Sequence, residues 1–279
     1  MIIGVDLGGT NIRAGLINNG KLLEERHYTL TDKDSLDRTL SQLTGAIAPL
    51  INAQVKGIGI GVPSVVDTEK GIVYNVVNIP SWKKVALKTI LEETFHIPTF
   101  VNNDVNCFVL GEHLYGVAQD YANIVGLTLG TGLGAGIIIH NKLYNGRNCG
   151  AGEIGMLPYL DHTYEFYTSS DFFSTKHGTT AETAHNEALL KNATALDQWK
   201  EFGFHMGNLL KAVVYTYDPE MIVLGGSIAK AYSFFEEAMI DEFTACYYKE
   251  SVRNIKIICS VSDNMSLLGA ASLVNRSTD

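Results

Sequence analysis

Val5-Asp6-Leu7-Gly8-Gly9-Thr10 and, far along the chain, Leu129-Gly130-Thr131-Gly132-Leu133-Gly134-Ala135-Gly136 are the stretches whose reading decides the fold. Each is flanked on both sides by strand-like residues, so each reads as a β-hairpin with a tight turn poor in side chains. Such a turn exposes backbone N–H groups and can hold phosphate. For either turn taken alone, an ordinary hairpin is the competing reading. Their surroundings echo one another: residues 7–22 read LGGTNIRAGLINNGKL and residues 129–143 read LGTGLGAGIIIHNKL, related by one gap. That echo points to an internal duplication, with two similar lobes each offering one phosphate loop to a shared cleft.

Outward from the turns, strand and helix patterns alternate. β-rich runs fall at residues 2–5, 12–17, 55–60, 99–101, 124–129, 135–140, 221–224 and 255–260. Between them, Leu36, Leu40, Leu43, Ile47 and Leu50 share one helical stripe. Trp199, Met206, Leu209, Leu210 and Val213 share another, which ends at Asp218-Pro219. The order of elements predicts an α/β fold.

The 279 residues correspond to about two average domains of ~150 residues. Apolar residues at 46% and charged residues at 18% describe a globular chain. The net charge of −9, with Lys83-Lys84 as the one adjacent basic pair, leaves no cationic stripe for a nucleic-acid backbone. In so acidic a chain, backbone N–H groups, helix N-termini and a divalent cation must hold any phosphorylated ligand. Cys107, Cys149, Cys246 and Cys259 form no C-x-x-C pair and read as reduced thiols of a cytoplasmic protein. The start, Met1-Ile2-Ile3-Gly4-Val5-Asp6, meets a carboxylate too early for a signal peptide. The most apolar stretch, residues 124–139, is broken by glycines and falls short of a membrane span.

Three tempting motifs fail on context. Gly130-x-Gly132-x-x-Ala135 matches a dinucleotide fingerprint, but Ile137-Ile138-Ile139 continues a strand where a helix must open. Residues 15–22 imitate a P-loop without the magnesium-binding hydroxyl. Gly225-Gly226-Ser227 resembles a nucleophile elbow, yet the last histidine, His205, precedes the serine, against the required order. The glycine pair more simply lets a ligand such as a purine approach the backbone at a strand end.

A further cluster, Asn102-Asn103-Asp104-Val105-Asn106, lies between a strand and a helix reaching Tyr115. Asp104 reads as a helix cap or first residue. It also reads as a carboxylate able to take a hydroxyl proton during phosphoryl transfer, beside polar residues suited to a polyol.

Taken together, these residues resemble the ROK sugar kinases, relatives of glucokinase within the actin-like ATPase and sugar-kinase superfamily. The resemblance rests on Asp6-x-Gly8-Gly9-Thr10, on Gly59-Ile60-Gly61-Val62-Pro63 with Asp67, and on Asn78-Ile79-Pro80-x-Trp82. It continues through Asn103-Asp104-x-Asn106, Gly130-Thr131-Gly132-x-Gly134-x-Gly136, Gly152-Glu153-Ile154-Gly155, and Pro219-Glu220-x-Ile222-Val223-Leu224-Gly225-Gly226. It implies a two-lobed, ribonuclease H-like α/β fold with a duplicated mixed sheet and a cleft. The N-terminal lobe would comprise residues 1–115 plus 266–279, and the C-terminal lobe residues 116–265.

The resemblance also implies an ATP-dependent hexose kinase. Asp6 would hold Mg²⁺ through water, Gly8, Gly9 and Thr10 would face the transferred phosphate, and Gly130, Thr131 and Gly132 would hold the remaining phosphates of ATP. Gly225 and Gly226 would line the adenosine pocket. Asn78, Asn103, Asp104, Glu153 and Glu165 would bind sugar hydroxyls, with Asp104 as general base. Glu165 is placed through Glu165-Phe166-Tyr167-Thr168-Ser169, similar to a Glu-x-Tyr-Ala-Ser segment of the family. The expected sugar is glucose, with N-acetylmannosamine, N-acetylglucosamine and fructose as alternatives, and the expected assembly is a homodimer.

Departures carry their own expectations. Met156 stands where many members have a histidine, and residues 157–165 hold no cysteine, so no zinc site is expected. Ser64 and Ser81 stand where glycine is usual. Part of the family consists of sugar-responsive repressors with a DNA-binding segment ahead of the Asp-x-Gly-Gly-Thr strand. Here that strand starts at residue 2, so a non-catalytic sugar sensor is the remaining alternative to a kinase.

Overall fold

The inner strands of the chain form where apolar runs can be covered on both faces. The computed structural model describes residues 1–276; residues 277–279, assigned above to the N-terminal lobe, lie outside the described residues. The strands that matter for function are β1 (Ile2–Leu7), β2 (Asn11–Asn18), β3 (Lys21–Thr29), β4 (Ile58–Val62), β5 (Thr99–Asn103), β6 (Ile124–Leu129), β7 (Leu133–Ile139), β8 (Met221–Gly225) and β9 (Lys256–Cys259). The helices are α1 (Leu36–Ile47), α2 (Leu87–Phe95), α3 (Asp104–Tyr115), α4 (Ala193–Tyr217), α5 (Tyr232–Thr244) and α6 (Met265–Arg276). The chain divides into two compact units. One comprises Met1–Asp120, Lys142–Ala151 and the segment from Val261 onward; the other comprises Tyr121–Asn141 and Gly152–Ser260.

In the first unit the strand order is β3-β2-β1-β4-β5. β1 pairs antiparallel with β2 through the first glycine turn and parallel with β4, and β4 pairs parallel with β5. All five residues of β4 are buried, as expected of a parallel strand covered on both faces. α6 packs on β1 and β4 and against α3, while α1 contacts β2 and β3, and α2 contacts β5. Leu43, Ile47 and Leu50, from the predicted stripe, enter this core. β3, absent from the sequence expectation, is an edge strand whose residues are mostly exposed, so it carries no hydrophobic alternation to read.

The second unit repeats the connectivity. β6 pairs antiparallel with β7 through the second glycine turn and parallel with β8, which pairs parallel with β9. Repeating hairpin-plus-parallel-strand units make this the duplicated mixed-sheet α/β class that the resemblance implied. α4 packs against α5. Their core includes Trp199, Phe172, Phe173, Phe202 and Phe235, all fully buried. Burial of rings that size contributes roughly 1.5–3 kcal/mol each before entropy is counted. α4 stops where the sequence indicated: Asp218 adopts the left-handed conformation with φ 43° and Pro219 follows. No helix among the described residues is long and apolar enough to cross a membrane.

A buried amide cluster ties Lys142–Ala151 to the first unit. Asn106 donates from Nδ2 to Asn102 Oδ1 at 3.0 Å and to Asn145 Oδ1 at 3.2 Å. Asn102 Nδ2 donates to the same Asn145 oxygen at 3.2 Å, and the Cys149 thiol donates to Asn102 Oδ1 at 3.2 Å. Buried polar groups left without partners cost far more than their hydrogen bonds gain, so the four side chains hold one another in place.

Two outcomes test this architecture. Asn106→Ala removes donors from the buried Asn102 oxygen and the part-buried Asn145 oxygen and is expected to destabilise the first unit by roughly 2–3 kcal/mol. The readout is urea unfolding at Trp82 in a Trp199→Phe background. In the second unit, burial of His205 drives its pKa from 6.5 down to about 4, Lys176 acting the same way against Glu201. The unfolded chain then takes up that proton first, so the stability contribution is full above pH 6.5 and is lost as pH falls towards 4. Unfolding followed at Trp199 in a Trp82→Phe background should show that slope, and His205→Gln should flatten it.

Candidate active site

The first-unit residues assemble at the carboxyl edges of three parallel strands. The register places Asp6 of β1 beside Gly61 of β4, and Gly61 beside Asn102 of β5. Adjacent strands lie about 4.8 Å apart, so Asp6 and the end of β5 are roughly 10 Å apart across the sheet. Gly61 brings the start of α3 close: a Cβ there would sit 3.1 Å from the Asp104 Cα. The glycine turn begins with Gly8 N–H donating to the Asn11 carbonyl at 2.8 Å, and the Thr10 carbonyl is held by Leu30 N–H at 2.7 Å. Gly9 faces Asn78, whose Cβ would lie 2.6 Å from a Cβ on that glycine. Thr10 and Asn78 are exposed.

Helix α3 starts at Asp104, with Asn103 as its cap. Asn103 Oδ1 accepts from Val105 N–H at 2.9 Å and Asn106 N–H at 3.1 Å. Its amide nitrogen reaches the Ser64 carbonyl at 3.4 Å. Asp104 Oδ1 accepts from Val105 N–H at 2.9 Å. Since Asn103 performs the capping, Asp104 is not the cap itself but the first residue of the helix. Beneath it lies Cys107, fully buried. Burial pushes the Cys107 thiol well above its ordinary pKa, and the charges of Asp104, then Asp6, then Cys149 push it further. The register of β1 with β4 and the approach of Gly61 to Asp104 place Asp6 and Asp104 at one edge of the first unit.

Asp6 is the candidate cation residue. Burial raises its pKa, Arg13 opposes the shift, and Glu25 adds to it. Arg13 sits directly across the hairpin from Asp6 but is shared with Glu25 at 2.7 Å and Asn264 Oδ1 at 2.7 Å. A desolvated carboxylate whose basic neighbour is shared gains from another cation. One carboxylate with retained waters is how Mg²⁺ is commonly held, so the residues fit that ion. Among the described residues, no group of three or more His, Cys, Asp or Glu is placed to hold a metal.

In the second unit the other glycine turn carries a different set. Gly130 N–H donates to the Gly132 carbonyl at 3.0 Å. Ser170 grips the turn from outside, its N–H donating to the Gly130 carbonyl at 2.9 Å and its hydroxyl to the Thr131 carbonyl at 3.1 Å. Glu165 Oε2 accepts from Leu133 N–H at 2.9 Å, and a Cβ on Gly132 would lie 2.6 Å from the same oxygen. Glu153 is exposed, and its pKa is raised by partial desolvation and then by the Glu165 charge. Gly225 ends β8 opposite Thr128, and Gly226, at φ 86°, packs against the Leu129 backbone where no side chain fits. Ser227 lies near Gly130.

The structure therefore gathers Asp6, Gly8, Gly9, Thr10, Asn78, Asn103 and Asp104 in the first unit. It gathers Gly130, Thr131, Gly132, Glu153, Glu165, Gly225 and Gly226 in the second. Sequence reasoning missed Ser170 and Asn145, considered Ser227 only as an elbow nucleophile, and read Cys107 and Cys149 only as reduced thiols. Ser170 directly follows the quoted segment ending at Ser169, a signal that was available; the others meet their partners only through the fold.

Comparison with known proteins matches residues 2–277 to the ROK family. The glucokinase of Thermotoga maritima is 26% identical over 308 aligned residues, covering 98% of this chain and 96% of its own. The xylose repressor of Bacillus spizizenii is 26% identical over 297, covering 98% of this chain and 76% of its own. A ROK family glucokinase from Streptomyces griseus, solved with glucose and AMPPNP, shares the fold with a TM-score of 0.85 at 24% identity over 99% of both chains. With a match along nearly its whole length, on a sheet-and-hairpin plan repeated in both units, this chain belongs to the ROK family.

Proposed function

We propose that the protein is an ATP-dependent sugar kinase that transfers the terminal phosphoryl group of ATP to a hydroxyl of a hexose, with glucose as the leading substrate. The observation that carries this reading is Asp104. It is a carboxylate at the first position of α3, beside the strand edge where Asp6 and the Gly8-Gly9-Thr10 turn end. A helix start, a bare turn and a cation-seeking acid in one neighbourhood suit phosphoryl transfer, which needs positioning and charge neutralisation more than covalent chemistry.

In this reading Asp104 accepts the proton of the attacking sugar hydroxyl as the new ester bond forms, and Asn103 and Asn78 orient the sugar. The Asn103 cap and the amides of Asn102, Asn106 and Asn145 keep the acid from drifting, and misplacement by about 1 Å can cost roughly a hundredfold in rate. The glycine turns offer N–H groups to the phosphates, and Gly225-Gly226 leave room for the adenosine. Mg²⁺, held through water by Asp6, supplies charge neutralisation on the phosphates when bound. Glu153 and Glu165 complete the sugar contacts. Cysteines that are all free in the fold suit a reducing, cytoplasmic setting.

A second reading, a sugar-responsive regulator without turnover, is supported by the similarity to a xylose repressor along 98% of this chain. N-acetylmannosamine, N-acetylglucosamine and fructose are the alternative substrates for the kinase reading.

The deciding experiment measures ADP release with Mg-ATP against a panel of hexoses and N-acetylhexosamines, for the unaltered protein and for Asp104→Asn. The kinase reading expects one sugar to stimulate turnover and Asp104→Asn to lower kcat about 10²–10⁴-fold. Sugar binding without any stimulated turnover supports the regulator, and undiminished turnover by Asp104→Asn removes Asp104 as base.

A further inference from the structure

Glu165 sits on a five-residue helix, Tyr164–Thr168, too short to hold a direction by itself. Its orientation comes from the hairpin just before it, in which Pro158–Tyr159 pairs with His162–Thr163. Three residues flanking Glu165 are each fastened to that hairpin. Tyr164 stacks on Tyr159 with ring centroids 4.4 Å apart and planes 12° apart. Phe166 stacks on His162 at 4.0 Å and 19°. The Tyr167 hydroxyl donates to Asp161 Oδ1. Thr163 caps the short helix, accepting from Phe166 N–H at 3.4 Å.

The hairpin is anchored in turn. The Tyr159 hydroxyl lies 3.1 Å from His205 Nδ1 on α4. Lys176 lies 5.1 Å from the Tyr167 ring centroid and 2.6 Å from Glu201, also on α4. At the other end of this chain of contacts, Glu165 takes the Leu133 N–H and occupies the space beside Gly132.

We propose that the hairpin formed by Pro158–Tyr159 and His162–Thr163 is the positioning device of the second glycine turn, with Tyr159, Asp161 and His162 as positioning residues. They fix Glu165, Glu165 fixes Leu133, and the turn's readiness for a nucleoside triphosphate follows from that fixation. Stacked rings and a charge-assisted hydrogen bond perform the task jointly. Individual losses are therefore graded, and the loss of Asp161 or of the Tyr167 hydroxyl releases one of the three fastenings while leaving the rings in place. The proposal rests on reading Gly130-Thr131-Gly132 as a phosphate turn.

Amide hydrogen exchange at Leu133 tests the fastening without reference to activity. Asp161→Ala and Tyr167→Phe are expected to speed Leu133 exchange about tenfold while Val223, in β8, exchanges as before, which separates local loosening from global unfolding. Asp161→Glu should restore protection, and Glu165→Ala should expose the same amide fully. AMPPNP affinity, measured by calorimetry, should fall in step with the loss of protection. Unchanged Leu133 exchange in Asp161→Ala and Tyr167→Phe, with Glu165→Ala active in the assay, overturns the role of the hairpin. Loosened exchange with full AMPPNP affinity overturns the link to the nucleotide. Failure of the unaltered protein to bind AMPPNP overturns the kinase reading instead, and the exchange result then stands alone on the positioning.

Discussion

The first unit depends on what happens where β5 becomes α3. A parallel strand buried on both faces must end there and release its chain into a helix whose first N–H groups need acceptors. Asn103 meets that need with its side chain, and Asn102 and Asn106, buried on either side, turn inward to Asn145 and Cys149. With those amides turned inward and the cap already supplied, Asp104 is left at the helix start without the capping duty. The cluster of Asn102, Asn106, Asn145 and Cys149 lies where β5 passes into the helix that Asp104 begins.

The two units solve a common problem with different side chains. Both have a glycine turn joining an antiparallel pair, and both run a second strand parallel to the first of that pair. In the first, the turn is braced by Leu30 on the Thr10 carbonyl and faces Asn78. In the second, Ser170 holds two carbonyls and Glu165 holds one N–H. Glu165 engages the second turn through the Leu133 N–H at the strand end. The backbone plan is common to both units, and the braces around the two turns differ.

Much of this was legible in the chain because the evidence was local. The turns announce themselves through missing side chains, the parallel strands through β-rich runs such as residues 55–60, and the end of α4 through Asp218-Pro219. Asp104 could be placed at a helix start from its neighbours, although that reading left capping open and the structure assigns it to Asn103. What could not be read is non-local. Asn145 meets Asn102 across 43 positions, and Glu165 meets Leu133 across 32, with no periodicity to connect them. β3 escaped because an exposed edge has no apolar face to alternate. The segment after Met156 read as lacking metal ligands and, through the Glu165-Phe166-Tyr167-Thr168-Ser169 resemblance, as carrying a sugar-binding Glu165; its aromatic residues gave no sign in sequence that they would stack on the hairpin that precedes Glu165.

A crystal structure of this protein with the sugar selected by the ADP-release panel and AMPPNP measures the central claim most directly. The account predicts a sugar hydroxyl within about 3 Å of an Asp104 carboxylate oxygen and directed at the terminal phosphorus. A sugar held with all of its hydroxyls away from Asp104, or a nucleotide whose phosphates contact neither glycine turn, would contradict it.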